Sequence, residues 1–361
     1  MQTLLVHPLS FERVMYRVAE IIENDRTPSH VAEISFHPSG TYFAVTYEHG
    51  NEVRIFDSQT RELLQVLENP EAQIDCPHGV LITEKFLLVS NANNTSKPGT
   101  INVHRNGDAV KRPIQVFQTP FGHLHEPHSL ALRHGVLVVT YAENSAPSGA
   151  VVSYAFNEET GEITGSLDKT ESWFSRYGDP KGVCFNADGS QILVTFESDK
   201  PLYIIKRLYW ALARDWRLPL PTRLMKFGRH IKKAILAPTK NGIAIFSISA
   251  DGKIARRPEH LILRKDFCRL ENVDVLEGTC AVTDTANGQL HLYDMAQDKS
   301  FTSPFHTADF GKAAPHAAKF SPDGRLLVIS SLGRKIIDQE FGEGDDFWES
   351  PREDKIFVLE R

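Results

Sequence analysis

The chain has 361 residues, of which 41% are hydrophobic and 24% are charged, and its formal net charge at pH 7 is −6. This composition is typical of a folded globular protein and excludes a disordered or fibrous chain. The negative charge argues against general nucleic-acid binding, because neutralising phosphates requires a basic face.

The N-terminal sequence MQTLLVHPLSFERVMYRVAE has no charged start, no apolar run of signal-peptide length and no small-residue cleavage site. No segment reaches the ~20 apolar residues that a transmembrane helix needs. The four cysteines contain no Cys-x-x-Cys pair, which indicates free thiols in a reducing compartment. We therefore expect a cytoplasmic protein without a transmembrane segment.

A repeating unit, made of two apolar runs with a Gly- or Pro-containing turn between them, occurs along the chain. A degenerate copy near Lys232 lacks a clear second strand. The copies begin about 40 to 53 residues apart, close to the ~40 to 50 residues of a four-stranded propeller blade. The spacing predicts an all-β, seven-bladed β-propeller with four-stranded antiparallel blades. In chain order, the seven copies begin at His30, His78, His128, Lys181, Lys232, Asn272 and His316.

Each copy predicts an inner strand, a second strand, a third strand and a weaker outer strand. The last blade has no outer strand, because the sequence given ends at Arg361. Residues 13–22 precede the first repeat, so we expect an N-terminal strand to complete this blade and close the ring without exposed sheet edges. No linker is visible, and residues 1–361 are expected to form a single propeller domain. The third strands are predicted to begin at Glu52, Gly99, Gly149, Pro201, Gly288 and Asp354.

Pro-His pairs stand at the start of three inner strands, at Pro77-His78, Pro127-His128 and Pro315-His316, and the turns HPSG, NADG and SPDG follow inner strands. These elements resemble those of the 6-phosphogluconolactonase-type and YVTN propellers. The G-H and W-D signatures of WD repeats are absent. The resemblance implies a lactonase-like hydrolase of carbohydrate metabolism, although propellers also serve as lyases, oxygenases and binding modules.

The predicted topology brings polar residues together at one face of the central channel. Such a ring of polar groups is suited to a polar or anionic small molecule. The alternative is that these side chains are only solvated, since propeller loops are commonly polar. The candidate ligand-binding residues are His30, Asn91, Asn94, Glu143, Arg176, Glu197, Asn272, Asp284, His316 and Arg334.

Hydrolysis of a lactone needs a base that activates water and a cation or donor that stabilises the oxyanion. His78 or His128 is the candidate base, and Lys181 is a candidate electrophilic group together with Arg176 or Arg334. Glu126 or Glu143 would orient the imidazole. The sequence has no G-x-S-x-G elbow, no P-loop and no G-x-G-x-x-G motif.

The segment from His123 to His128 contains three histidines. In an extended chain His123 and His125 point the same way, so with His128 or a distant histidine they are candidate ligands for a divalent metal ion. Histidines at inner-strand starts also resemble those of propeller oxygenases that hold iron. The alternative is that they hydrogen-bond channel water or neighbouring blades.

Two insertions interrupt the repeat, at about 206–229 and 334–354. Residues 206–233 contain nine Lys or Arg residues and one acid, together with Tyr209, Trp210 and Trp216. We expect either an anionic partner for this basic segment, such as a phosphorylated metabolite, a membrane surface or an acidic protein, or a purely structural role. Two functions remain open for the whole chain: an enzyme acting on a lactone, and a non-catalytic propeller that binds a metabolite or protein.

Overall fold

The protein forms antiparallel sheets with no helix in the part of the chain that the computed structural model describes. None of these residues belongs to a helix that could cross a bilayer. The described residues are 16–23, 30–92, 98–107, 112–120, 125–143, 149–170, 178–197, 241–298, 300–310, 313–332 and 354–361.

These residues form 24 strands in six four-stranded sheets, here called blades I to VI. Blade I contains β2 (Val31–Phe36), β3 (Tyr42–Tyr47), β4 (Glu52–Asp57) and β5 (Leu63–Glu68). Blade II contains β6 (Pro77–Ile82), β7 (Phe86–Asn91), β8 (Thr100–Arg105) and β9 (Gln115–Gln118). Blade III contains β10 (His125–Arg133), β11 (Val136–Glu143), β12 (Ala150–Asn157) and β13 (Glu162–Lys169).

The second half of the chain forms the other three blades in the same strand order. Blade IV contains β14 (Asp179–Phe185), β15 (Gln191–Glu197), β16 (Gly242–Ser247) and β17 (His260–Leu263). Blade V contains β18 (Leu270–Leu276), β19 (Thr279–Asp284), β20 (Gln289–Asp294) and β21 (His306–Asp309). Blade VI contains β22 (Ala314–Phe320), β23 (Leu326–Leu332), β24 (Lys355–Glu360) and β1 (Arg17–Glu23).

The expectation of seven blades is wrong, and the error lies between Lys181 and Asn272. The spacing assigns β16 to a separate blade that starts near Lys232, but β16 pairs with β15 and is the third strand of blade IV. The third strand of this blade is therefore not the segment that begins at Pro201. Residues 198–240, which contain that segment, the Lys232 start and the predicted insertion 206–229, lie outside the described residues. The connection between β15 and β16 is as long as a blade, so the spacing of the repeats wrongly indicates an additional blade.

The six inner strands contact one another in the cyclic order β2, β6, β10, β14, β18, β22 and back to β2. Buried apolar side chains fill each space between neighbouring blades. For example, Val31 and Phe43 of blade I pack with Val328 and Ile356 of blade VI. Six such clusters match the six blade interfaces, so each blade depends on both of its neighbours.

A buried hydroxyl in the second strand of every blade fixes its inner strand. Thr46 accepts a hydrogen bond from the backbone N–H of Glu33 at 2.9 Å, at a point where the β2–β3 register shifts. Thr46 Oγ1 also donates to the backbone oxygen of His78 in blade II at 2.6 Å. The equivalent hydroxyls are those of Thr46, Ser90, Thr140, Thr195, Thr283 and Ser330, all fully buried.

Blade VI is completed by a strand from the N-terminal part of the chain, as expected. β1 pairs antiparallel with β24, with Ile22 opposite Ile356 and Arg17 opposite Glu360. The Tyr16 hydroxyl donates to the backbone oxygen of Gly324 at 2.8 Å, which fastens the start of this strand to blade VI.

Candidate functional site

The hydroxyl bonds define which residues occupy equivalent positions on the inner strands. In each blade, the N–H group that donates to the hydroxyl belongs to an inner-strand residue, and the residue before it is the equivalent position. This preceding residue lies at the register shift, between the two nearest backbone pairs of the strands. Five of these six residues are ionisable, and we call the six the channel ring. The channel ring consists of Ala32, His78, His128, Lys181, Glu271 and His316.

The three imidazoles of the channel ring lie close together. The ring centroids of His78 and His128 are 3.5 Å apart, and those of His78 and His316 are 5.2 Å apart. His78 is further positioned by its Nδ1, which lies 3.2 Å from the backbone oxygen of His128. In blade I, where the ring position is Ala32, the side chain of His30 lies beside the cluster, with its centroid 5.0 Å from that of His316.

Glu271 is the buried anion of the channel ring, and its side chain is 1% exposed. One carboxylate oxygen accepts a hydrogen bond from Arg269 Nε. The other, Oε2, lies 3.8 Å from His128 Nε2 and 4.0 Å from His316 Nε2. Burial alone would raise the pKa of Glu271, but Lys181, Arg269 and the two histidines hold this pKa well below its usual range. Glu271 is therefore ionised at neutral pH.

Lys181 and Arg269 supply the positive charge of the site. Lys181 Nζ lies 4.0 Å from Glu197 Oε2, and Arg269 Nε lies 3.6 Å from the same oxygen. Burial lowers the pKa of Lys181, but the neighbouring carboxylates of Glu271 and Glu197 raise it above its ordinary value overall. The lysine is thus a protonated hydrogen-bond donor.

The histidines of the channel ring are neutral at neutral pH. Burial lowers the pKa of His78 to about 4, against a partial opposing effect of Glu48. Burial likewise holds the pKa values of His128 and His316 well below the usual range. The described atoms leave His128 Nδ1, His316 Nδ1 and Glu271 Oε2 buried without a hydrogen-bond partner. These three atoms can hydrogen-bond water or a ligand, and the low pKa values of the histidines make them weak bases.

Glu126, which precedes the Pro-His pair of blade III, has a carboxyl group with a raised pKa. Burial, and then the negative charge of Glu48, raise the pKa of Glu126 to about 7. A carboxyl group in this range exchanges a proton readily near pH 7. Its properties therefore suit a general base better than those of His78 or His128, to which the sequence analysis gave that role.

A second polar layer lies one step further along the inner strands. Asn272 Nδ2 donates to Glu33 Oε1 at 2.6 Å, which joins blade V to blade I across the channel. Lys319 Nζ lies 3.7 Å from Glu33 Oε1 and 3.6 Å from Asp274 Oδ1. Asn272 thus belongs to this second layer and not to the channel ring, where sequence spacing places it.

At the start of blade I, a further group of polar side chains faces the histidines. His30 Nδ1 lies 2.9 Å from Glu48 Oε2. His49 is the neighbour of Glu48 in the β3–β4 turn, and its ring centroid is 5.5 Å from that of His30. The thiol of Cys76 donates to Glu48 Oε1 at 3.3 Å.

Two of the proposed ligand-binding residues serve the fold. Asn91 is fully buried; its Oδ1 accepts from the backbone N–H of Asp75 at 3.2 Å, and its Nδ2 donates to Thr100 Oγ1 at 3.2 Å. Asp284, also fully buried, accepts hydrogen bonds from the backbone of Cys268 and Arg269. The Asn91 amide and the Asp284 carboxylate thus hold loops in place.

Several other proposed residues fall outside the described part of the chain. This holds for His123, for the whole residues Asn94, Arg176 and Arg334, and for the side chains of His125 and Glu143, whose backbones pair with each other in blade III. The metal site suggested for His123, His125 and His128 and the insertion 334–354 are therefore not placed.

Glu271 is the main functional candidate that the sequence analysis missed. It stands one residue before Asn272, and blade V has Leu270 where four other blades have proline, so the Pro-x motif does not mark it. The sequence signal that could have identified Glu271 is its spacing along the chain from the second-strand hydroxyl. Thr283 accepts a hydrogen bond from the N–H of the residue after Glu271, as Ser90 does from the N–H of the residue after His78.

Surface cavities between the outer strands are separate from the channel. One of about 420 Å³ is lined by residues of β17 and by Ser300, Phe301 and Thr302. None of the channel-ring residues lines it, and it lacks a comparable set of ionisable groups. Among the described residues, the candidate functional site is therefore the cluster of ionisable side chains in the channel.

Comparisons with known proteins agree with the propeller architecture. The family model of the anaphase-promoting complex subunit 4 WD40 domain matches residues 1–78. No curated protein has a sequence that matches this chain. Among solved structures, one of Kuenenia stuttgartiensis hydrazine synthase has a TM-score of 0.51 and 14% identity, over 87% of this chain and 97% of that chain. A luciferin-regenerating enzyme has a TM-score of 0.58 and 8% identity, over 95% of both chains.

At these identities the similarity to solved structures establishes the fold alone. The chain is a β-propeller, which confirms that part of the expected family resemblance. The similarities do not single out the lactonase-type or YVTN propellers.

Proposed function

We propose that the channel ring binds a small, polyhydroxylated lactone or ester and hydrolyses it. The observation that supports this most is the convergence of Lys181, Glu271 and three neutral histidines on equivalent positions of five inner strands. A rigid ring with many donors and acceptors suits a ligand that offers several hydroxyl groups. Three of its buried polar atoms have no partner among the described residues, and such atoms usually bond to water or a ligand.

The charges of the described residues favour an uncharged ligand. Lys181 and Arg269 are matched by Glu197 and Glu271, and Glu48 adds a further negative charge. Burial raises the pKa of Glu48, but His30, His78 and His49 hold it well below the usual range, so this carboxylate is ionised. In the metal-free protein, an anion would meet this excess of negative charge, whereas a neutral sugar lactone would not.

Glu126 and Lys181 are assigned the two chemical roles. The Glu126 carboxylate takes a proton from water while the water oxygen bonds to the lactone carbonyl carbon. Lys181 stabilises the oxyanion, which then collapses with cleavage of the ring C–O bond. The leaving alkoxide receives the proton from Glu126, and the product is the open hydroxy acid.

The test is a pH-stat assay of the purified protein with a panel of sugar lactones. Glu126→Gln should lower kcat/KM by about 10²- to 10⁴-fold, the usual contribution of a general base. In the parent protein, kcat/KM should rise with pH through a pKa of about 7 as Glu126 loses its proton. Glu159→Gln, at an exposed turn of blade III, is the control. Equal activity of the Glu126→Gln variant and the parent would refute the assignment.

A second candidate is a non-catalytic propeller that binds a protein partner. It is favoured by the family match to a WD40 domain over residues 1–78. In that case the lactones would neither bind in calorimetry nor be hydrolysed, and channel substitutions would leave partner binding unchanged.

We also propose that the basic segment 206–233 has an anionic partner and that the protein is cytoplasmic. The anionic partner of residues 206–233 concerns a segment outside the described residues. The cytoplasmic location is supported by the four cysteines, which form no disulfide bond among the described residues.

A further inference from the structure

We infer that His30, Glu48 and His49 form a binding site for a divalent metal ion of the zinc class at the mouth of the channel. Each of the three offers one ligand atom, and these atoms lie within 4.8 Å of one another. Two histidines and one glutamate are an established zinc ligand set in which a fourth position stays open to water. The inference goes beyond the proposed hydrolysis and does not rest on it.

The spacing of the ligand atoms is close to what an ion requires. Zinc binds histidine nitrogen and carboxylate oxygen at about 2.0 to 2.2 Å, so any two ligand atoms lie at most about 4.3 Å apart. His30 Nδ1 and Glu48 Oε2 are 2.9 Å apart. The ion would lie between these two atoms, with small side-chain movements to bring in the third ligand.

The backbone holds the three ligands in place. The N–H of Glu48 donates to the backbone oxygen of His30 at 2.8 Å, so the residue before β2 is fixed to the β3–β4 turn. The side chains of His30 and Glu48 are 17% and 16% exposed, which leaves a path for an ion. A site on such a fixed turn is largely formed before the ion binds.

Cys76 of the neighbouring segment orients the carboxylate. Its thiol donates to Glu48 Oε1, which leaves Oε2 directed at His30. Partners of this kind raise metal affinity by positioning a ligand atom.

The experiment is a calorimetric titration of chelator-treated protein with Zn²⁺ in the absence of any lactone. We expect one ion per chain, and a rise in melting temperature with added Zn²⁺ because the ion binds only the folded state. Glu48→Gln keeps the size of the side chain and should reduce affinity by more than the about 10- to 100-fold that a lost orienting partner costs. Cys76→Ala should fall within that range.

The matched control is His306→Ala, which removes a half-buried histidine on β21, away from the channel. It should bind Zn²⁺ as the parent does. Each variant is first checked for an unchanged melting temperature in chelator, and His49→Ala provides a second ligand variant if Glu48→Gln does not fold.

A second measurement on the parent protein needs no variant. Co²⁺ in a four-coordinate His/Glu site should give a strong visible absorption that Zn²⁺ abolishes. Failure of the parent to bind Zn²⁺ or Co²⁺, or equal affinity in the parent and Glu48→Gln, would overturn the site. Loss of lactone hydrolysis with intact Zn²⁺ binding would instead count only against the proposed function.

Discussion

The Thr46 hydroxyl in blade I donates a hydrogen bond to the backbone oxygen of His78, a channel-ring residue in blade II. The same hydroxyl accepts the N–H of Glu33 in its own blade. One buried oxygen thus sets the register of one inner strand and the position of the next. The hydroxyl of Thr140 likewise donates to the backbone oxygen of Lys181, and that of Thr283 donates to the backbone oxygen of His316.

Thr46→Val removes this hydroxyl while keeping the shape of the side chain. The Glu33 N–H and the His78 oxygen would each lose a partner in a buried place, which costs about 1–3 kcal/mol. We expect this loss in the free energy of unfolding measured with urea. Thr164→Val, at an exposed position of β13, is the control and should unfold as the parent does. A Thr46→Val variant as stable as the control would show that the hydroxyl only fills space.

Gly79 lies where the inner strands of blades II and III are close together. A Cβ atom added there would lie 2.4 Å from the backbone oxygen of His128 and 2.7 Å from Ser90 Oγ. Gly79→Ala should therefore destabilise the protein by about 1–3 kcal/mol, the usual cost of overpacking. Gly165→Ala, where an added Cβ would meet nothing within 4 Å, should leave the melting temperature unchanged or slightly raised. Equal melting temperatures for the two variants would contradict the close approach.

Lys319 neutralises two carboxylates in the second layer, the buried one of Glu33 and the partly buried one of Asp274. Lys319→Met leaves both without their cation, and the removal of one partner from a buried pair costs about 3–5 kcal/mol at neutral pH. Lys253→Met is the control, because Lys253 pairs with Asp251 at 2.9 Å on the surface, where its side chain is 75% exposed. We expect the control to unfold like the parent.

The deficit of Lys319→Met should depend on pH. Burial raises the pKa values of Glu33 and Asp274 even with Lys319 present, and loss of the cation would raise them further. A carboxyl group with a raised folded-state pKa stabilises the fold below its unfolded pKa of about 4, and this stability is lost as pH rises through the folded value. The variant should thus be closer to the parent at pH 5 than at pH 8 in urea unfolding. The opposite trend would contradict the assigned cause.

Much of the strand pattern was predictable from the sequence because each strand is short, apolar and bounded by a turn. The runs 42–47 and 326–331 coincide with β3 and with most of β23. The blade count was not predictable in this way, because repeat counting measures only distance along the chain. The connection before Gly242 is as long as a blade, and only the pairing of β15 with β16 shows that it lies within one.

The candidate site was predictable where a proline precedes the ring residue. His78, His128, Lys181 and His316 all follow a proline, and the structure brings them together. Glu271 follows Leu270, and its role comes from a register shift that apolar periodicity does not reveal. The shifted pKa of Glu126 was also beyond sequence reasoning, since it arises from burial and from Glu48, a residue far away in the chain.

Because β1 closes the ring, the adjacent residues Ile21 and Ile22 lie in different environments. Ile22 packs against the apolar cluster between blades VI and I, whereas Ile21, on the other side of the same strand, is 43% exposed. If β1 completes blade VI, Ile22→Asp places a charge against this cluster and also loses apolar burial, a loss of about 1–3 kcal/mol. Ile21→Asp changes only the outer face and should have little effect on the melting temperature. Two variants with the same melting temperature as the parent would show that this strand does not hold the ring closed.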